Sequence, residues 1–107
     1  MIGYAVINAS TLGDNTIVAA VAGASIEVIQ YTIIAPTNNI ITWKSDSTAL
    51  SGPMEFSTGE NITAVSGASS NQTINFLFKT AAGQALVLTL GSAAQVSGHI
   101  TYRITRA

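Results

Sequence analysis

His99 is the one imidazole of the chain. With five carboxylates (Asp14, Glu27, Asp46, Glu55 and Glu60) it makes up the acid–base and metal-binding chemistry on offer. A metal centre needs several such ligands together, and the acids are spread singly along the sequence. Glycoside hydrolysis needs two carboxylates across a cleft, and nothing in the spacing selects a pair. The Gly-x-Ser-x-Gly turn of a serine nucleophile is absent. So are the glycine-rich loops that cradle phosphates. Zero cysteines exclude disulfides, thiolate metal sites and a thiolate nucleophile. The expectation is a protein that is not an enzyme, with no catalytic, cofactor-binding or metal-binding residues. In that reading His99 simply starts a strand after Ser97-Gly98.

Two rings could serve recognition. Trp43 and Tyr31 could stack on a sugar, which makes a carbohydrate-binding module the alternative reading. Trp43 alternates with Ile41, however, and that spacing places it in a strand facing a core or an interface. Lys44, Lys79, Arg103 and Arg106 are the only cations, four against five acids, too few for a strong anion site. Arg103 is expected to pair with an acid of a neighbouring chain. Asn-x-Ser/Thr sequons at Asn8, Asn61 and Asn71 follow from an Asn/Ser/Thr-rich composition.

The scaffold that positions these groups is poor in charge. Only 8% of the 107 residues are charged, against about 25% in an ordinary soluble domain. Apolar residues make up 48%, so Ser, Thr and Asn stand where Lys and Glu usually do. A net charge of −1 gives no electrostatic basis for binding nucleic acid or an acidic membrane. The length suits a single domain over residues 1–107. The longest apolar run, residues 17–24, falls well short of the roughly 20 residues of a membrane span. The first cation is Lys44, and a secretory leader starts on basic residues, so none is expected. A surface this short of charge is expected to face other protein.

The periodicity is that of strands. Residues 14–35 are rich in Ile, Val, Thr and Tyr, which suit a pleated, half-buried surface. Strands are expected at 16–21 and 26–35, separated by Ala22-Gly23-Ala24-Ser25. In the second, Ile29, Tyr31 and Ile33 mark one face, while Ile26 and Val28 mark the other. That pattern implies a change of environment or a bulge. Further strands are expected at 40–45, 60–65, 73–79, 86–90 and 100–105, with turns at Pro36-Thr37-Asn38-Asn39 and Ser45-Asp46-Ser47. Residues 48–56, broken by Ser51-Gly52-Pro53, are expected to form an edge or a crossing between sheets, and residues 66–71 a loop. Seven to eight short strands at roughly ten-residue spacing predict an all-β fold, a single antiparallel β-sandwich of jelly-roll-like type.

The ordered set GDNTIVAAVAG (13–23), TWKS (42–45), TALSGP (48–53), TAAGQAL (80–86) and GHITYR (98–103) resembles small β-rich virion proteins of tailed bacteriophages. The resemblance implies a capsid-decoration, head-fibre or tail-associated role in the virion, usually as a symmetric oligomer. It implies partners in a major capsid or tail protein and carries over no catalytic residue. A homotrimer is expected, because closure would remove edge strands that the chain cannot guard with Lys. The expected interface residues are Ile26, Val28, Ile33 and Ile40, the apolar positions that one small core cannot absorb, together with Arg103.

Overall fold

The computed structural model describes residues 2–66 and 75–106. They form ten strands and no helix. These are β1 (Ile2–Ala9), β2 (Gly13–Val18), β3 (Ala24–Ala35), β4 (Asn39–Ser45), β5 (Thr48–Ala49), β6 (Met54–Phe56), β7 (Glu60–Val65), β8 (Phe78–Lys79), β9 (Leu86–Leu90) and β10 (Val96–Arg106).

One turn organises them. Ser45 pairs with Thr48, so Asp46-Ser47 is a two-residue hairpin turn, a geometry that needs positive φ. Asp46 supplies it with φ 48°, which a short polar side chain tolerates by bonding locally. Its Oδ1 accepts the Ala85 N–H at 2.9 Å. Outward from this turn the two arms of the chain pair antiparallel. β4 pairs with β5 and β6, β3 with β7 and β8, β2 with β9, and β1 with β10. Two more pairings, β4 with β9 and β3 with β10, roll this long hairpin into two sheets.

Sheet A runs β1-β10-β3-β7, with β8 also on β3. Sheet B runs β2-β9-β4-β5, with β6 also on β4. This is the jelly-roll order of an all-β sandwich. Ten segments fill four positions in each sheet, because β5 and β6 share one edge and β7 and β8 share another. The expectation of seven to eight strands matches the positions and undercounts the segments.

Three strands differ locally from expectation. No strand was expected at residues 2–9. In β1 the large residues Ile2, Tyr4 and Val6 face out, while Gly3 and Ala5 face in, the reverse of the usual size pattern. The inner positions are crowded: a Cβ on Gly3 would lie 2.9 Å from the Tyr102 ring. The strand expected at 16–21 lies at Gly13–Val18, and the one expected at 73–79 contains only Phe78–Lys79 among its described residues. Residues 73–74, and 67–71 of the expected loop, lie outside the described residues.

The core depends on a bulge in β3. Thr101 pairs with Gln30 and Tyr102 with Val28, which leaves Ile29 without a partner on β10. An extra residue re-phases a strand's alternation. Before the bulge Ala24, Ile26 and Val28 point inward. After it Tyr31, Ile33 and Ala35 do. Both sets therefore line one core, against Ile41, Trp43, Leu86, Leu88 and Leu90 of sheet B. Trp43 and Tyr31 of this core pack against each other and against the partly buried Phe78, with ring centroids 5.2 Å (Tyr31–Trp43), 5.9 Å (Trp43–Phe78) and 6.4 Å (Tyr31–Phe78) apart.

Candidate interaction surface

The residues expected to form a site fall mostly inside the molecule. Ile26, Val28 and Ile33 are 0% exposed. Expected at an interface, they lie instead in the core of the subunit. The bulge at Ile29 turns Ile33 to the same side as Ile26 and Val28, so one core absorbs them all. Ile40 is 44% exposed and does remain on the surface. Trp43 and Tyr31, the candidate sugar-stacking rings, are 0% and 6% exposed. They pack against each other and against Phe78, and a ligand has no access to their faces. The Trp43 indole N–H is buried with no acceptor at hydrogen-bonding geometry among the described residues. Burial pushes the Tyr31 phenol above its ordinary value of 10.0, and the nearby Trp43 side chain opposes that shift.

Arg103 also departs from expectation, because its carboxylate partner belongs to its own chain. Its Nη2 lies 2.6 Å from Glu27 Oε1, and its Nε donates to the same oxygen at 2.8 Å. Arg106 donates to the Ala22 carbonyl at 3.1 Å. Lys44 sits 3.7 Å from Asp14, and Asp14 accepts from the Thr89 hydroxyl at 2.6 Å. Among the described residues no group of three or more His, Asp or Glu could hold a metal ion.

A depression of about 360 Å³ lies beside Ile40, Asn38, Asn39, Glu55, Phe56 and Ser92. Asn39 is part of its structure. Its Nδ2 donates to Ser92 O and Ala94 O, while its Oδ1 accepts from the N–H groups of Ile40 and Ser92. The three bonds to Ser92 and Ala94 tie the β9–β10 connection to β4, and all four leave the amide little capacity for a ligand.

The outer face of sheet A is a different kind of surface. Across it run the rows Tyr4–Thr101–Gln30–Val65, Val6–His99–Thr32–Thr63 and Asn8–Ser97–Ile34–Asn61. No Lys, Arg, Asp or Glu occurs in these three, whereas the next row of the same face, Ile2–Arg103–Glu27–Lys79, carries its charges. The hydroxyls of Thr32 and Thr63 bond across strands at 3.1 Å, the sort of cross-strand pair that stiffens a sheet. His99 is exposed in the middle of this face. At the β1 margin Ile2, Tyr4 and Val6 are 52%, 74% and 67% exposed. The sequence reading missed all three. Their signal was present as large residues alternating with small ones, but it points to the core unless the crowding by Tyr102 is known.

Fold and surface together define a jelly-roll-ordered β-sandwich whose outer sheet A face is free of charge across three rows. Compared with protein-family models, curated protein sequences and solved structures, the chain matches none.

Proposed function

We propose that this chain is a structural subunit of a bacteriophage particle. It packs against copies of itself and against a capsid or tail protein of the virion, and it stabilises the particle surface or forms part of a fibre or spike. The observation that carries this reading is the outer face of sheet A. Three of its rows hold no Lys, Arg, Asp or Glu, with Tyr4 and Val6 exposed at their β1 end, and a charge-poor face of this kind is suited to contact with protein. The jelly-roll strand order, which capsid and lectin domains share, supports the same reading, as does the run of segments from GDNTIVAAVAG to GHITYR.

The role needs no catalytic step and no cofactor. A carbohydrate-binding role through Trp43 and Tyr31 finds no support, since both rings are enclosed. The test is to label the protein in purified particles and to image where it lies. Regular copies on the head or tail are the expected result. Absence from particles overturns the proposal.

A further inference from the structure

β1 has β10 on one side and, among the described residues, no strand on the other. It runs IGYAVINA, eight residues without a charge or a proline. Natural edge strands are usually guarded by Lys, Pro, a bulge or extreme shortness, because a free row of N–H and C=O groups recruits another strand. β1 has none of these guards, and its pairing with β10 runs without a register shift from Ile2 to Ala9. Its outward side chains Ile2, Tyr4 and Val6 form an exposed apolar margin of the outer sheet A face.

We propose that the β1 edge is a self-association surface, on which β1 of a second copy of this chain pairs antiparallel to join the two A sheets into one. The inference deepens the assembly role proposed above and rests on it for its biological setting. The occupant follows from self-complementarity. With a two-fold axis at Ala5, Tyr4 lies opposite Val6 of the partner subunit, and Val6 lies opposite the partner's Tyr4. These are aromatic–β-branched pairs, the combination favoured across strands. Ile2 meets Asn8 of the partner subunit, and no charge opposes another. A strand pairs with its own copy only about a two-fold axis, and such a contact closes at two subunits. This edge therefore builds a dimer, in place of the trimer expected from composition. An eight-residue edge buries roughly 300 Å² per copy, against about 800 Å² in a standard stable complex. The pair is accordingly weak in dilute solution and becomes occupied where neighbouring copies are held at high local concentration.

Sedimentation equilibrium of the full chain, over a concentration series reaching its solubility limit, tests this. The expected result is a reversible monomer–dimer equilibrium, with the dissociation constant raised at least about tenfold by Val6→Lys. Val65→Lys, at the far margin of the same face, leaves the constant unchanged. Tyr4→Lys, at the most exposed β1 position, serves if Val6→Lys does not fold by circular dichroism. A wild-type monomer at every concentration overturns the inference, as does a trimer. It also fails if Val65→Lys weakens association as much as Val6→Lys, since the face and not the edge would then be in contact. A monomer that is nevertheless found in particles defeats the edge alone. A β1-dependent dimer absent from particles defeats the virion role alone.

Discussion

Arg103 holds Glu27 across the β10–β3 pairing through two contacts to a single carboxylate oxygen, Nη2 at 2.6 Å and Nε at 2.8 Å. Glu27 is the one buried charged residue among those described, at 4% exposure. Removing one partner of such a pair leaves an uncompensated charge out of water. Arg103→Ala is expected to cost about 3 kcal/mol in chemical denaturation. The double variant Glu27→Leu with Arg103→Leu is expected to recover most of that loss. A double variant as unstable as the single one would show that the pair does more than neutralise a charge.

Trp43→Ala removes the ring at the centre of the Tyr31–Phe78 cluster. Loss of a buried aromatic typically costs about 3–5 kcal/mol, so the variant is expected to unfold or to show a large fall in denaturation midpoint. A variant with wild-type stability would place the ring outside the core.

Gly98 lies in β10 between Ile7 and Ile33, with φ 152°. A Cβ there would fall 1.8 Å from the Thr32 carbonyl oxygen, a backbone atom that cannot rotate away. Gly98→Ala is expected to cost about 4 kcal/mol or to abolish folding, a size reserved for a few named mechanisms. Ser97→Ala, one residue away on the outer side, is expected to change stability by less than about 0.5 kcal/mol. Thermal unfolding of the two side by side is the check.

Tyr31 makes stability fall at alkaline pH. Burial raises its phenol above the ordinary value, so the folded state keeps a proton that the unfolded chain gives up near pH 10. Below that pH both states hold the proton and the contribution is constant. As pH rises past it, the unfolded state is favoured progressively, until the folded phenol itself ionises. Denaturation of the wild type at several alkaline pH values is expected to show this decline, and Tyr31→Phe is expected to show less of it. Equal declines in the two proteins would clear Tyr31 of the effect.

Much of the strand content was legible in the residues. Leu86, Leu88 and Leu90 alternate because one side of β9 meets the core and the other does not. Ile100 and Tyr102 do the same in β10, and Asp46-Ser47 marks a turn through its own chemistry. These are local signals, carried by a side chain's preference for one backbone shape or one side of a pleat.

The candidate site was much less legible, for reasons that begin at Ile29. Alternation counted through residues 26–35 sets Ile26 and Val28 against Ile33, so some of them must face outward. Only the pairing of Thr101 with Gln30 and Tyr102 with Val28 exposes the extra residue that turns all three inward. Likewise the large residues of β1 face solvent because Tyr102, almost one hundred positions further along the chain, fills the space above Gly3. By itself the sequence determined a charge-poor, all-β chain of short strands. Which apolar residues form the core and which remain at the β1 edge was decided by tertiary structure, because strand register and steric crowding are set between segments far apart in the chain.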